Sequence, residues 1–139
     1  MSKQLFVTGI GTGAGKTIVS AILTEVLQAD YCKPIQLGDL DSSDSLLAKS
    51  LTSLELKIHQ ERYCLQKAAS PHQSAKEEAI EINLNDFEFP KTTNSLIVEG
   101  AGGLFVPINE EDFMIDLIQQ FNLPVVRIFL SSLYQNSIQ

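Results

Sequence analysis

Apolar and polar residues alternate in blocks along the chain, and these blocks predict strands and helices in turn. The apolar run 4–9 predicts a buried strand, and residues 15–28, with apolar side chains at helical spacing, predict an amphipathic helix of about three turns. Residues 52–72 give no clear pattern. The remaining predictions are strands at 31–36, 94–108 and 123–130, and helices at 42–51, within 70–81 and at 112–121. This alternation indicates a parallel sheet with helices on both faces.

Composition and charge narrow the class of protein. The chain has 139 residues, enough for one domain with one core, and it is 44% hydrophobic and 19% charged. The formal net charge of −7 argues against a nucleic-acid partner, although backbone N–H groups can still bind phosphate. No apolar run reaches the ~18 residues of a membrane helix. Cys32 and Cys64 lie far apart, without metal-ligand spacing, and favour reduced thiols in a cytoplasmic protein.

A glycine-rich loop joins the first predicted strand to the first helix, in the stretch FVTGIGTGAGKT at 6–17. The common phosphate-binding pattern is G-x-x-x-x-G-K-[ST], but here Gly9 and Gly15 are one residue further apart. Glycines let backbone N–H groups approach a polyanion, and a helix N-terminus favours phosphate. Lys16 could reach the β- and γ-phosphates, and the Thr17 hydroxyl could join a Mg²⁺ shell. The strand–loop–helix order favours a nucleotide loop over an incidental glycine-rich turn.

A second candidate site is IVEGAGG at 97–103. Glu99 would lie at the carboxyl end of an apolar strand, the edge at which α/β sheets bind ligands, and is a candidate Mg²⁺ ligand. The glycines after it, Gly102 and Gly103 among them, would let a substrate approach the backbone. The alternative is an exposed glutamate before a tight turn.

A third candidate site is CKPIQLGDLDSSDS at 32–45. Lys33 would end a strand at the same edge of the sheet and could hold an anion near the γ-phosphate. Any of three carboxylates in the following loop could complete the Mg²⁺ shell: Asp39, Asp41 and Asp44. The alternative is a solvated acidic turn. SPHQSA at 70–75 could cap a helix and do nothing more, and His59 has no motif around it.

Together, these motifs resemble the dethiobiotin synthetases, ATP-dependent enzymes of biotin synthesis. The family's stretched GKT loop, K-P dipeptide, S-P-H segment and VEGAGG motif correspond to FVTGIGTGAGKT, YCKPIQ, SPHQSA and VEGAGGLFVPI, in the same order. The longer loop is therefore a mark of the family. The resemblance implies a P-loop NTPase-like α/β fold, with 1–139 as one domain. It also implies that the final strands are missing, because the family continues where this chain reads RIFLSSLYQNSIQ and stops.

The resemblance also implies a reaction and a set of site residues. An ATP-dependent cyclo-ligase would join 7,8-diaminononanoate and CO₂ or bicarbonate into dethiobiotin, through a carbamate and a carbamic–phosphoric anhydride, with Mg²⁺ as cofactor. The protein would be a homodimer. Lys16 and Lys33 would be catalytic, and Gly102 and Gly103 would line the diamine site. The residues implied to contact ATP are Gly11, Thr12, Gly13, Ala14, Gly15, Lys16, Thr17 and Glu99, and those implied to hold Mg²⁺ are Thr17, Asp44 and Glu99.

Some residues depart from the family pattern and keep alternatives open. Gly13 stands where many members carry an acidic residue, and Leu37 replaces a small polar residue. The short C-terminus would remove the adenine pocket, which leaves open an inactive nucleotide-binding remnant. A regulatory ATPase with the same kind of loop is a further alternative, although such proteins carry a second loop lysine where this chain has Gly11.

Overall fold

The computed structural model describes residues 2–10, 15–53 and 55–129. Within these ranges the strands are β1 (Gln4–Gly9), β2 (Asp30–Cys32), β3 (Ile35–Leu37), β4 (Ile58–His59), β5 (Tyr63–Leu65), β6 (Leu96–Gly103) and β7 (Val125–Ile128). The helices are α1 (Lys16–Leu27), α2 (Asp44–Leu51), α3 (Pro71–Glu77) and α4 (Met114–Phe121), with short 3₁₀ turns at Leu40–Ser42 and Leu84–Asp86. No helix in the described ranges is long and apolar enough to cross a membrane.

Five of the strands form one parallel sheet in the order β4-β2-β6-β1-β7, and β3 and β5 form a separate parallel pair. Neighbouring residues of a strand point to opposite faces. In β1, Val7 therefore packs with Leu23 and Leu27 of α1, whereas Phe6 packs with residues of α4 such as Phe121. Helices thus cover both faces, and the predicted P-loop NTPase-like α/β architecture is confirmed.

The segment predicted as one strand over 31–36 is two strands in two different sheets, so that prediction was wrong in part. The chain leaves the main sheet at Lys33 and Pro34, between β2 and β3. Proline has no N–H to donate to a sheet ladder. The Pro34 carbonyl instead accepts hydrogen bonds from the N–H groups of Arg62 (2.9 Å) and Tyr63 (3.1 Å), which brings β5 alongside β3.

Helix α1 forms as predicted, but just one of its two adjacent apolar rows, that of Leu23 and Leu27, packs against the sheet. Ile18, Ile22 and Val26 are 57%, 56% and 72% exposed. The buried positions of the helix are Lys16, Ser20, Ala21 and Thr24. Three of these four side chains are small. Periodicity alone predicted a helix correctly, but it did not identify the face that packs.

Other predicted elements agree more closely with the structure. Ser43 caps α2 by accepting from the Leu46 N–H, and Ser70 caps α3 by accepting from the Gln73 N–H. The last predicted strand is shorter than expected, with β7 ending at Ile128. Residues 52–72, which gave no pattern, contain the short strands β4 and β5. Residue 130 and the tail after it lie outside the described residues.

The glycine-rich stretch after Glu99 continues β6 instead of forming the predicted turn. Val7 of β1 pairs with Glu99, but Gly9 pairs with Gly103, so β1 advances two residues while β6 advances four. This is a bulge, which bends a strand and re-aims its side chains. Gly102 accommodates it with φ +69°, a left-handed conformation that side chains disfavour.

We expect Gly102→Ala to lower the free energy of unfolding by about 2–4 kcal/mol. A methyl group there would lie 2.8 Å from Val106 Cγ2, and both the left-handed backbone and the overlap carry a cost. Urea unfolding measures the loss. Adding Val106→Ala should recover only the part of the lost free energy that comes from the overlap between the new methyl group and the Val106 side chain. A Gly102→Ala protein as stable as the parent would contradict this account of the bulge.

Candidate nucleotide and metal site

The N-terminus of α1 lies where the glycine-rich loop enters the helix. Gly15 precedes the helix with φ 78°, in the left-handed region, and the first turn contains no acidic residue. The first N–H groups of a helix have no partner within the helix, and they carry the positive end of its dipole. This end of α1 is therefore suited to an anion. Four predicted contact residues, Gly11, Thr12, Gly13 and Ala14, lie outside the described residues.

Glu99 is the centre of a buried polar cluster. Its side chain is fully buried in β6, but each carboxylate oxygen accepts hydrogen bonds. The donors are the Tyr31 hydroxyl to Oε1 at 3.0 Å, and the Thr17 hydroxyl at 2.9 Å and the Lys33 ammonium at 3.0 Å to Oε2. A buried charge is tolerated only when it is paired and hydrogen-bonded. Glu99 is therefore not the exposed strand-end glutamate of the alternative interpretation, and it lies within β6, not at its end.

Lys33 joins Glu99 to the acidic loop. Cys32 pairs with Val98 across β2 and β6, so the next residue of each strand, Lys33 and Glu99, lie side by side. The Lys33 Nζ also contacts Asp44 Oδ2 at 2.6 Å and donates to the Gly100 carbonyl at 3.2 Å, while its side chain is only 4% exposed. A buried cation thus lies between two carboxylates.

Asp44 is the loop carboxylate that reaches this cluster. It is the first residue of α2, and its N–H donates to Gln36 Oε1 at 3.1 Å. Burial raises the pKa of Asp44, but the Lys33 ammonium and hydrogen bonds within the cluster outweigh burial and lower that pKa overall. Asp39 and Asp41 are instead exposed residues at the start of the 3₁₀ turn before α2. The solvated-turn interpretation thus holds for these two residues and not for Asp44.

Lys16 brings a second positive charge to the cluster. It is the first residue of α1 and only 7% exposed. Burial lowers its pKa, and the charge of Lys33 lowers it further, while the carboxylates of Glu99 and Asp44 act in the opposite direction. Two neighbouring ammonium groups form a region that attracts anions.

The oxygen atoms of this cluster fit a magnesium ion. The Thr17 hydroxyl and the Glu99 and Asp44 carboxylates gather around the Lys33 ammonium. Mg²⁺ prefers oxygen ligands and is commonly held by one or two carboxylates together with waters and substrate phosphates. The described part of the chain has no group of three or more His, Cys, Asp or Glu side chains that could hold a metal. Phosphate oxygens and waters would therefore complete the shell.

Sequence reasoning missed two residues of the cluster. The Tyr31 hydroxyl donates to Glu99 from the neighbouring strand, and burial, followed by the charge of Glu99, raises the pKa of Tyr31, so it remains a donor. Gln36 orients Asp44 and donates to the Gly38 carbonyl at 3.0 Å. Alternation along a single strand gives no sign of either contact. His59, which has no motif around it, pairs with Asp30 Oδ2 at 2.9 Å.

The remaining predicted residues lie at the edge of the cluster or away from it. Gly102 and Gly103, three and four residues beyond Glu99, form the bulge at the end of β6. His72 is the second residue of α3, where its ring contacts Glu110 Oε1 at 3.2 Å and its N–H donates to the Pro107 carbonyl. The prediction that this segment caps a helix is confirmed.

The fold, with the buried cluster at the start of α1, defines a P-loop NTPase-like α/β protein. The chain belongs to the family described as AAA domain, whose family model matches residues 3–139. It is similar to ATP-dependent dethiobiotin synthetases, so the resemblance that the motifs indicated is confirmed.

Three such relatives illustrate the similarity. The synthetase of Cytophaga hutchinsonii is 47% identical over 137 residues, which cover 98% of this chain and 66% of the relative. That of Christiangramia forsetii is 44% identical, covering 91% of this chain and 61% of the relative. That of Lawsonia intracellularis is 45% identical, covering 94% of this chain and 63% of the relative. The chain thus spans somewhat less than two thirds of the length of the curated relatives it matches.

Proposed function

We propose that this chain binds Mg-ATP and acts as a dethiobiotin synthetase. The reaction would carboxylate 7,8-diaminononanoate with CO₂ and close the ureido ring, with release of ADP and phosphate. The observation that carries the proposal is the buried cluster of Lys33, Glu99, Asp44 and Thr17 beside the N-terminus of α1. The names of the relatives support ATP dependence and the product.

The two lysines would stabilise the transferring phosphoryl group. Phosphoryl transfer depends on positioning and on neutralising charge on the phosphoryl oxygens. Lys16, at the positive end of α1, would contact the β- and γ-phosphates, with the loop from Gly11 to Gly15 supplying backbone N–H groups. Lys33 would hold the carbamate oxygen next to the γ-phosphoryl group. Pre-organised charges in a site shielded from water are worth more than the same charges in bulk water.

Thr17, Asp44 and Glu99 would hold Mg²⁺, which supplies further neutralisation of the phosphates when bound. The hydroxyl of Tyr31 keeps the Glu99 carboxylate in one orientation by donating to its other oxygen. Gly102 and Gly103 would line the diamine site, at the end of β6 beyond Glu99. The chemistry needs no covalent nucleophile from the protein, because the amines of the substrate attack CO₂ and the anhydride.

Other features of the proposal come from the sequence and from the family resemblance, and they stay predictions. They are a single domain over 1–139, a homodimer and a cytoplasmic location. The net charge of −7 supports the expectation that nucleic acid is not a partner.

The function is tested by ADP release with Mg-ATP and bicarbonate, measured with and without 7,8-diaminononanoate. We expect release that depends on the diamine. Release at the same rate without the diamine would replace the proposal with the regulatory ATPase. ATP binding without release under either condition would identify an inactive nucleotide-binding remnant.

We expect Glu99→Gln to raise the Mg²⁺ concentration needed for half-maximal ADP release by roughly tenfold or more, since even partners outside the metal shell contribute about that much to affinity. The amide keeps the shape of the side chain but removes one of two carboxylate ligands. A Mg²⁺ titration of the rate measures the shift. Glu81→Gln, an exposed residue after α3, is the matched control and should leave the titration unchanged. An unaltered Mg²⁺ dependence of Glu99→Gln would remove Glu99 from the proposed metal site.

A further inference from the structure

A cavity lies on the face of the sheet opposite to the Glu99 cluster. Its volume is about 370 Å³, and it opens between β2, β4 and the segment 87–91. Three aromatic side chains line it, namely Phe87, Phe89 and Phe121. Phe87 and Phe121 are buried, and the Phe89 ring meets the Phe121 ring edge-on at 5.7 Å. The cavity therefore has a fixed apolar wall and the volume of a small-ligand pocket.

This cavity and the candidate nucleotide site are separate. Cys32 lines the cavity and packs in the same core cluster as Phe87 and Phe121. The next residue, Lys33, points instead to Glu99, which shares a hydrogen bond with Thr17 of α1. The sheet thus lies between the two sites.

Positive charge is concentrated around the cavity. The chain has 10 basic and 17 acidic residues, yet the described lining includes three cations, Lys57, Arg62 and Lys91, and one carboxylate, Glu88. His59 also contributes to the lining, but its ring is engaged with Asp30. The local balance of charge is therefore the reverse of that of the whole chain.

The three cations differ in whether they already contact other groups of the protein. Arg62 donates to the Asp86 carbonyl at 3.1 Å, lies 3.7 Å from its carboxylate and stacks over the Tyr63 ring. Lys57 and Lys91 make no ion pair with any carboxylate of residues 2–10, 15–53 or 55–129. Their two ammonium groups are available to an anion from solution.

We propose that this cavity binds a small organic carboxylate with an apolar body. The body would pack against Phe87, Phe89 and Phe121, where aromatic rings offer apolar area and edge contacts. The carboxylate would lie at the rim between Lys57 and Lys91, where charge-assisted hydrogen bonds are stronger than neutral ones. The site goes beyond the proposed synthetase reaction, which takes place on the other face of the sheet.

Three small probes test this ligand chemistry on the full chain by ¹H–¹⁵N NMR titration. They are 3-phenylpropionate, acetate, which lacks the apolar body, and 3-phenylpropylamine, which carries the opposite charge. We expect 3-phenylpropionate to shift the amide signals of Cys32, His59 and Phe89 saturably, and to bind at least about tenfold more tightly than either other probe, a difference of about 1.4 kcal/mol. Equal binding of the amine, shifts confined to residues 15–17, or no saturable shift would each overturn the proposal.

A pair of double variants tests the role of the two lysines. Lys57→Gln with Lys91→Gln should weaken 3-phenylpropionate binding about tenfold, the loss expected for about one charge-assisted hydrogen bond. Lys49→Gln with Lys76→Gln removes the same charge from α2 and α3, away from the cavity, and should change the affinity less than about twofold. Equal weakening in the two double variants would show a general charge effect and overturn the assignment. Neither double variant alters a residue of the proposed catalytic site, so failure here is distinguishable from failure of the synthetase assay.

Discussion

We expect Lys33→Met to lower the free energy of unfolding by about 3–5 kcal/mol, the loss typical of a buried ion pair that keeps only one partner. Methionine keeps most of the length of the side chain but removes the ammonium that lies between Glu99 and Asp44. Glu99 is fully buried. Its charge would keep the hydroxyl donors of Tyr31 and Thr17 but lose the ammonium donor of Lys33. Urea unfolding at pH 8 measures the loss.

The loss should shrink as the pH falls from 8 to below the ordinary carboxyl pKa of about 4. In the parent chain the pKa of Asp44 is lowered overall, chiefly by Lys33 acting against burial. The pair therefore stabilises the fold above the ordinary carboxyl pKa, and this contribution is lost as the pH falls through the lowered value. In the variant, the cluster has lost the Lys33 ammonium, and a buried carboxyl without a cation binds a proton more readily in the folded chain than in the unfolded chain. Protonation therefore favours the fold of the variant at low pH.

Two further variants separate the buried pair from general effects of charge. Lys33→Met combined with Glu99→Gln removes the fully buried charge of Glu99 together with its partner and should be less destabilised than the sum of the single changes. Asp44 keeps its charge, but its side chain is partly exposed. Lys67→Met breaks the ion pair with Glu77, in which both side chains are about half exposed, and should cost less than about 1 kcal/mol. A Lys33→Met protein no less stable than Lys67→Met would contradict the buried cluster.

Much of the candidate site could be predicted because parallel strands place their carboxyl ends at one edge. Lys33 follows a predicted strand and Glu99 lies in another, so their proximity follows from the strand pattern once both strands join one sheet. The selection of Asp44 over Asp39 and Asp41 could not be predicted from the residues alone. It depends on where α2 begins, and that start is fixed by the Ser43 cap and by Gln36, a contact across the chain.

The sequence predictions that differ from the structure do so for a common physical reason. The split of 31–36 into two strands, the bulge over Gly102 and the exposed stripe on α1 all depend on partners distant in sequence. A single strand or helix pattern records which residues are apolar, but not how closely its neighbour approaches. On α1, Ser20 and Ala21 are buried and Leu23 and Leu27 pack against the sheet. The adjacent row of the same length, Ile18, Ile22 and Val26, is exposed.

We expect Lys16→Ala to lower the rate of diamine-dependent ADP release by about 10²–10³-fold, the usual effect of removing one pre-organised group that stabilises transition-state charge. Lys16 is buried at the positive end of α1, and its pKa is lowered by burial and by Lys33. A charge held in such surroundings interacts strongly with the phosphates, since little water screens it. The fold should survive, because Lys33 still pairs with both Glu99 and Asp44.

The comparison that checks this is the rate of ADP release by the parent, Lys16→Ala and Lys49→Ala chains at saturating Mg-ATP. Lys49 is an exposed lysine of α2, so its substitution removes one positive charge without touching the cluster and should leave the rate unchanged. A fall in rate without loss of cooperative urea unfolding would place the defect in the chemistry, not in the fold. Unchanged turnover in Lys16→Ala would contradict the phosphate-binding role of this loop, even if the sheet and the Glu99 cluster stayed intact.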